Sequence, residues 1–209
     1  MIDAAERLIA EFGISAMTLK DVQIEAGQLN KSAAKYHFGS RDGLIQAVLE
    51  DRMSRVNERR EEMLDELDAL GHLPTVRQIV ETLVLPFAVE TLGSKGSRYA
   101  RFLSQVMYGP VLSLVAQEQL SAEAFRRVEA LVVGVVNAPL EVVKRRVRNI
   151  IHLNIVVLAR WEQQERSQEK SADIVCDLIG TCAAVLEAPV SENDRYSTML
   201  FGADDRADD

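Results

Sequence analysis

Residues 30–38 carry the side chains with the clearest chemistry in this sequence. If a helix turns Ala34 and Phe38 inward, at about 100° per residue, five residues share its outward arc: Lys31, Ser32, Ala33, Lys35 and Tyr36. Ammonium and hydroxyl groups bind base edges and phosphates, and small side chains let such a helix enter a major groove about 12 Å wide. The pattern therefore favours a DNA-reading helix, with an ordinary solvated helix face as the alternative.

Positive charge is concentrated in the same segment. Residues 28–41 contain three basic residues and no acidic one, whereas residues 1–50 contain five basic and seven acidic residues, a net charge of −2. The whole chain has a net charge of −8, so most of its surface would be repelled by nucleic acid. Any DNA binding must come from this local basic segment, with the rest of the molecule turned away.

The elements that must position this segment are helical, because apolar residues recur at helical spacing and no segment alternates with period two. We predict N-terminal helices over residues 2–12, 18–27, 30–38 and 40–70. The first helix has an apolar stripe: Ala5, Leu8, Ile9 and Phe12. Thr18 and Asp21 have the spacing of a capping box, and Asn30 and Ser40 are good N-cap residues. A tight turn at Gly27 completes a helix-turn-helix pattern.

The rest of the chain predicts a larger helical body. With 47% hydrophobic but only 5% aromatic residues, its core must be aliphatic. We predict helices near residues 75–91, 97–118, 121–136, 139–166 and 171–187, with Pro86 and Pro110 kinking or splitting two of them. Residues 52–68 are charged nearly all round, which is typical of a solvated connector. The polar tail, 190–209, carries six acidic residues and two arginines, and we expect it to be disordered.

The two cysteines, Cys176 and Cys182, lie about 120° apart on one predicted helix, which disfavours a disulfide between them. We expect buried free thiols in a reducing, cytoplasmic setting. The longest apolar runs, 131–136 and 155–159, are too short to span a membrane, and no signal peptide is visible. We therefore expect no membrane partner.

Catalytic motifs are missing from the sequence. None of the three histidines, His37, His72 and His152, has a glutamate three residues before it, as a di-iron bundle requires. HExxH and GxSxG are absent, and Gly93–Ser97 lacks the phosphate-loop spacing. We expect no enzymatic activity, no metal and no cofactor. The rival hypotheses are a helical small-molecule-binding protein without DNA function and an unrecognised helical enzyme.

Residues 18–44 resemble the DNA-binding head of the tetracycline-repressor (TetR-like) family. The matching stretches are TLKDV at 18–22, EAG at 25–27 and NKSAAKYHFGSRDGL at 30–44, of which YHFGSR is the most specific. The similarity covers roughly residues 2–50, and the body resembles the family only in length and helix order. It implies an all-α protein with a three-helix, helix-turn-helix head over 1–50 and a ligand-binding and dimerisation body over 51–189.

The resemblance also implies roles for individual head residues. Thr18 and Lys20 would contact phosphate. Bases would be read by four residues: Lys31, Ser32, Ala33 and Lys35. The DNA backbone would be held by three: Tyr36, His37 and Arg41. Two departures affect this transfer: the turn at 27–30 is one residue longer than the commonest version, and the sequence begins inside its first helix, without the basic arm of many members. The second departure leaves open weaker DNA binding or a shortened start.

For the body, the resemblance implies a homodimer formed by the last two helices, bound as a repressor to an inverted-repeat operator and released by a small, mostly apolar effector. Candidate interface residues come from a heptad-like seam and a small-residue face: Val143, Val147, Ile150, Gly180, Ala183 and Ala184. The alternative is one intramolecular core face, and both can hold. Candidate effector residues are Tyr99, Phe102, Val106, Met107, Asn154 and Trp161.

Several assignments in the body stay open. Asn154 could set interface register, hydrogen-bond the effector or be a satisfied core amide. Trp161 suits packing better than a pocket wall. One face of the second body helix is expected to be solvated: Arg98, Arg101, Gln105 and Tyr108.

Overall fold

The computed structural model describes residues 1–30, 32–94, 96–109, 123–165 and 167–190, and these residues form an all-α fold without strands. The helices are α1 (Ile2–Phe12), α2 (Leu19–Glu25), α3 (Ala33–Phe38), α4 (Arg41–Asp68), α5 (Val76–Ala88), α6 (Tyr99–Val106), α7 (Glu123–Val135), α8 (Leu140–Glu162) and α9 (Gln168–Glu187). A 3-10 turn, Ile14–Ala16, precedes α2, and a π-helical turn, Val89–Gly93, follows α5. The predicted all-α class is confirmed. Pro110 and most of the acidic tail, 191–209, lie outside the described residues.

Local capping determines where the first helices begin. The Thr18 hydroxyl accepts a hydrogen bond from the Asp21 N–H at 3.2 Å, and the Asp21 carboxylate accepts one from the Thr18 N–H at 3.1 Å, so the predicted capping box is confirmed. Ser40 caps α4 by accepting from the Gly43 N–H at 3.0 Å. Asn30 does not cap α3; its Oδ1 accepts from the Ser32 N–H at 3.0 Å. This local turn competes with helix formation, and α3 starts three residues later than predicted.

One continuous hydrophobic core joins the head helices, α1–α3, to the body helices, α5–α9. Helix α1 packs against both α4 and α6 and buries Ala5 and Ile9. Phe12, predicted to lie in the same stripe, is 66% exposed. It is the last residue of α1, where Gly13 turns the chain at φ 83°, and so it leaves the packed face.

The second half of α4 is not the solvated connector that its charges predict. Val56, Arg60 and Leu64 lie four residues apart on one face and are buried, and α4 packs there against α5 and α7. Three buried positions among many charges are enough to anchor a helix, because residues at i and i+4 share a face.

Pro86 was expected to kink or split its helix; α5 continues through Pro86 to Ala88, so it is not split there. Proline has no N–H, and the carbonyl four residues earlier therefore loses its partner in the helix. That carbonyl belongs to Thr82, and it accepts a hydrogen bond from Arg60 Nε at 3.2 Å instead. Pro86 thus removes one backbone hydrogen bond from α5, and the Arg60 side chain of α4 replaces it.

A buried carboxylate from α8 completes the N-terminus of α6. Glu162 Oε1 accepts hydrogen bonds from the Ala100 N–H at 3.2 Å and the Ser97 hydroxyl at 3.0 Å, and Oε2 accepts from the Arg101 N–H at 3.0 Å. Burial raises the pKa of Glu162, although these hydrogen bonds act in the opposite sense. The first N–H groups of a helix have no partner in the helix itself, so Glu162 joins α6 to α8.

Replacing Glu162 with alanine is expected to lower the free energy of unfolding by about 2 kcal/mol, because it leaves buried N–H groups of α6 without acceptors. Urea unfolding at fixed protein concentration measures the loss. The exposed Glu165 supplies the matched control, and its alanine variant should stay within about 0.5 kcal/mol of the parent. Equal unfolding free energies for the two variants would contradict the capping role.

Both cysteines are free thiols, but only Cys182 is buried, while Cys176 is exposed on α9. The expectation that both are buried is therefore wrong for Cys176, because the side of α9 that carries it faces away from the core. Burial raises the pKa of the Cys182 thiol to about 11. None of the helices in the described ranges combines the length and apolarity that a membrane span requires.

Candidate nucleic-acid interface

Helix α3 is held in place by two neighbours and a short turn. It packs against α2 and α4, and Gln23 Nε2 of α2 donates a hydrogen bond to the Asn30 carbonyl at 3.0 Å, which ties α2 to the turn before α3. Gly27, at φ 63°, makes that turn with a backbone conformation that other residues rarely adopt. The orientation of α3 thus depends on both α2 and α4.

The inner face of α3 is wider than its sequence predicts. Ala34 is fully buried as expected, but Ala33 is also buried, with 5% exposure. The prediction that Ala33 points outward is wrong, because α3 begins at this residue and packing on two sides covers its first turn. Direct contact between the Ala33 methyl group and a base is therefore disfavoured.

The exposed residues of α3 and its flanks keep most of the predicted chemistry at the surface. Tyr36 is 85% exposed, and its ring makes an edge contact with that of His37, with centroids 5.2 Å apart. The other exposed candidates in this segment are Ser32, Lys35, His37 and Arg41. Lys31 lies outside the described residues. Cations, a phenol and an imidazole thus share one short stretch of surface that contains no carboxylate before Asp42.

The other predicted phosphate contacts lie at the start of α2. Thr18 and Lys20 are exposed, but the Thr18 hydroxyl already donates to Asp21 Oδ2 at 2.6 Å. A phosphate oxygen would compete with Asp21 for that proton, so Lys20 and the backbone N–H groups are better suited to the contact.

At Gly43, the junction between α3 and α4 leaves no room for a side chain. Gly39, at φ 69°, reverses the chain, and the Ser40 N–H donates to the Phe38 carbonyl at 2.7 Å. A Cβ atom on Gly43 would lie 2.2 Å from the same carbonyl oxygen. Backbone-to-backbone contact therefore sets the angle between α3 and α4.

Two described cations of the head, Arg7 and Arg41, lie near carboxylates. Arg7 forms an ion pair with Glu25. Arg41 approaches Asp42 only at 3.8 Å, beyond hydrogen-bonding distance, so its N–H groups can still reach a phosphate. Lys35 and Arg41 are thus the described cations best placed to bind DNA beside α3.

Comparison with known proteins bears directly on this site. Residues 1–48 match the family model described as bacterial regulatory proteins, tetR family. The head of this chain therefore matches the tetR family model. The match supports a DNA-binding transcriptional regulator with a helix-turn-helix head, and the resemblance found in the sequence is confirmed over this part of the chain.

The body, which the family model does not cover, is compared through its fold. A solved structure from Mesorhizobium loti MAFF303099, described as that of a TetR-family transcriptional regulator, aligns with a TM-score of 0.53 and 13% sequence identity. The alignment covers 88% of this chain and 93% of that one. At this identity the likeness shows the fold alone. No curated protein matches the sequence.

The head is attached to the body by charge pairs as well as by α4. Arg52 Nε donates to Glu6 Oε2 at 2.7 Å, and Arg52 Nη1 donates to Glu90 Oε1 of the π-helical turn at 3.2 Å. These carboxylates raise the pKa of Arg52 against the opposing effect of desolvation, which is the largest single influence. Glu6 Oε1 also accepts from the Arg98 N–H at 3.1 Å. Helix α1 is therefore bonded to the start of α6.

These contacts revise the expected solvated face of α6. Arg98 Nε donates to Glu11 Oε1 at 2.9 Å, and the Arg101 side chain is largely buried beside Glu162, with Nε and Oε2 3.6 Å apart. That face was predicted from polarity alone, and the prediction is wrong for both arginines because carboxylates on α1 and α8 cover them. Gln105 and Tyr108 are exposed as expected.

Most of the predicted effector residues lie deep in the body. Tyr99, Phe102 and Val106 are buried and Met107 is half-buried. Asn154 is buried, and its Nδ2 donates to the Leu83 carbonyl at 3.4 Å. Trp161 lies apart from them in a groove of about 420 Å³ between α8 and α9, whose described lining includes none of the other five.

The predicted dimer residues fall into two groups. Val143, Val147 and Ile150 are buried within the single chain, so the prediction that they meet a partner is wrong: an apolar seam of this spacing serves an intramolecular core equally well. Gly180 and Ala184 are exposed and Ala183 is half-buried, so this part of α9 remains accessible to a partner.

Proposed function

We propose that this TetR-family regulator is a homodimeric repressor whose α3 helices enter successive major grooves of an inverted-repeat operator. The observation that carries the proposal is the exposed stretch of Lys35, Tyr36, His37 and Arg41 on and beside α3. Residues 1–50 would bind DNA, and residues 51–189 would dimerise and bind the effector. In such a dimer the two α3 helices must lie about 34–36 Å apart, or a multiple of that distance.

The outer faces of α8 and α9 support the dimer. Four small residues, spaced by four, lie exposed along α9: Ala172, Cys176, Gly180 and Ala184. Small side chains permit close helix approach. The exposed face of α8 carries Arg145 and Arg148, and that of α9 carries Asp173 and Asp177. Two-fold packing that sets α8 against α9 of the partner would bring opposite charges together.

The effector would be small and mostly apolar, lodging near Tyr99 and Phe102 of α6. Because Glu6 of α1 accepts a hydrogen bond from the residue just before α6, a shift of α6 would move the head. Repression would end when the effector favours a head spacing that no longer fits the operator.

Two variants of α3 test how it reads DNA, on operator sites first selected from a random pool. Lys35→Ala is expected to cost roughly 1–3 kcal/mol at the selected site and to flatten preference at one position, as loss of a base contact does. Tyr36→Phe is expected to weaken selected and scrambled sites about equally, as loss of a phosphate contact does. Binding curves at several salt concentrations measure both effects.

Arg59→Ala is the matched control, because it removes an exposed cation on α4 away from α3 and should leave site preference unchanged. Loss of a lysine–phosphate contact would reduce the steepness of the salt dependence by about one unit, whereas loss of the neutral tyrosine hydroxyl would not. Unchanged DNA affinity in both α3 variants would exclude α3 from the groove and overturn the proposal.

A further inference from the structure

Arg60 is a buried cation without a carboxylate partner in the described part of the chain. It is 4% exposed. Nε donates to the Thr82 carbonyl at 3.2 Å, Nη1 donates to Asn57 Oδ1 at 2.5 Å, and the guanidinium carbon lies 4.6 Å from the centre of the Phe125 ring. A guanidinium has five N–H donors, so the described acceptors take only part of its capacity.

Desolvation lowers the pKa of Arg60 to about 10, so the group is still cationic at neutral pH. Buried charges are costly unless they are paired, and most are paired in native proteins. The ring and two neutral acceptors stabilise the cation but do not neutralise it. An anion at this position would.

Two more buried polar atoms beside α5 have no hydrogen-bond partner among the described residues: the Tyr99 hydroxyl and Asn154 Oδ1. Arg60 bonds the Thr82 carbonyl and Asn154 the adjacent Leu83 carbonyl. The Tyr99 ring packs against Phe87, one turn further on, with centroids 5.6 Å apart. The Tyr99 hydroxyl interacts electrostatically with Glu6, Glu90 and Arg52, and also with Arg60, so it lies between the charge pairs of Arg52 and the Arg60 guanidinium.

We propose that the effector is a carboxylate on a compact apolar body, and that Arg60 binds the carboxylate together with the Tyr99 hydroxyl. This inference rests on the proposed function, whose effector it specifies. The planar guanidinium matches a carboxylate in two parallel hydrogen bonds, and the tyrosine hydroxyl supplies a further donor. Phe102, stacked on Tyr99 at 6.2 Å, and Phe125 provide apolar surface beside the charged group.

A singly charged ligand group fits this site better than a phosphate. One guanidinium supplies one positive charge, and a second negative charge taken into the interior would remain uncompensated. Asn154 Oδ1 would accept a hydrogen bond from a donor elsewhere on the ligand or from a water molecule that accompanies it.

Binding at this site would act directly on the link between body and head. Tyr99 and Phe102 are fully buried, so a ligand can reach them only if α6 or a helix packed against it moves. The residue before Tyr99 is Arg98, whose N–H is bonded to Glu6 of α1. Effector binding would therefore strain or break the bond that holds α1 against α6.

The test uses the full-length protein and four carboxylates (benzoate, phenylacetate, hexanoate and octanoate), each compared with its primary amide. The amide keeps the shape and removes the charge. At least one carboxylate should raise the melting temperature by roughly 5 °C at about one hundred times its dissociation constant, and its amide should not. Arg60→Met should weaken that carboxylate by about 10- to 100-fold.

Variants separate a ligand-binding role from a purely structural one. Arg60→Met should change the melting temperature without ligand by no more than about 5 °C, since removal of an unpaired buried charge offsets loss of the hydrogen bond to the Thr82 carbonyl. Tyr99→Phe should likewise fold normally and bind the carboxylate several-fold more weakly. Arg59→Met, on the exposed side of α4, should respond like the parent protein. If Arg60→Met does not fold, the Tyr99→Phe comparison decides.

The inference is overturned if no carboxylate stabilises the protein more than its amide, or if both Arg60→Met and Tyr99→Phe keep the parent affinity. Operator binding without ligand is measured in parallel. A protein that binds operator but ignores all four carboxylates disproves this inference alone. A protein that binds a carboxylate through Arg60 but binds no DNA site disproves the proposed function and leaves the carboxylate site standing.

Discussion

Gly43→Ala is expected to abolish operator binding and to destabilise the head by about 3 kcal/mol. The added Cβ would lie 2.2 Å from the Phe38 carbonyl oxygen and 3.3 Å from its carbon. Both are backbone atoms at the end of α3, so no side-chain rotation relieves the overlap. The start of α4 and the end of α3 must separate, and α3 would then lose the orientation that a major groove requires. Urea unfolding and gel-shift titration measure the two effects.

Gly134→Ala is the matched control for this substitution. Gly134 lies inside α7, and its added Cβ would meet only Leu73 Cδ2 at 3.7 Å, an ordinary contact. Alanine has the higher helix propensity, so this variant should be more stable by about 0.5–1 kcal/mol and bind operator normally. Normal stability and operator affinity in Gly43→Ala would disprove the close-contact explanation.

Gly180→Glu is expected to convert the proposed dimer into a monomer at micromolar concentration and to weaken binding to an inverted repeat by at least about 100-fold. No heavy atom lies within 4 Å of the position that a Cβ on Gly180 would take. A single chain can therefore accept the new side chain, and its helix propensity improves. Across a close two-fold contact the same side chain would collide with the partner and bring a charge near Asp177. Two separate heads also lose the high effective concentration with which a linked second head binds the second half-site.

Sedimentation velocity and binding to full and half operators measure these effects. Ala130→Glu adds the same side chain to an exposed position of α7, away from the proposed interface, and should remain dimeric. If Gly180→Glu sediments as a dimer, α9 does not form the interface at this point. If the dimer is lost and the resulting monomer melts at the same temperature as the parent protein, the substitution acts on association alone.

Several features of the candidate site were predictable because they depend on neighbours within a few residues. The capping box of Thr18 and Asp21 and the cap at Ser40 follow from side-chain geometry over three residues. Inward-facing Ala34 and outward-facing Lys35 and Tyr36 follow from the helical repeat. Ala33 was placed on the wrong side because its burial depends on helices that arrive from both sides.

The burial of Arg60 is the clearest feature that the sequence did not predict. It lies in a charged run that is typical of a solvated helix, yet Val56 and Leu64, four residues to either side, mark a buried face. That spacing and the proline at 86 are visible in the sequence, but neither predicts that Arg60 contacts the helix that contains Pro86. Only packing of α4 against α5 brings the Arg60 guanidinium to the carbonyl that Pro86 leaves without a partner.

The sequence by itself determined the helical class, the head motif, the concentration of positive charge near α3 and most helix starts, because these depend on spacing, composition and local hydrogen bonds. The tertiary structure decided which faces are buried, since burial depends on residues far apart in the chain. Val143, Val147 and Ile150 became core rather than interface, Glu162 became the cap of a distant helix, and Arg98 became a link to α1. An apolar stripe predicts that a helix face will be buried, and a polar stripe predicts that it will be exposed. Which element covers a buried face is decided only when the helices pack.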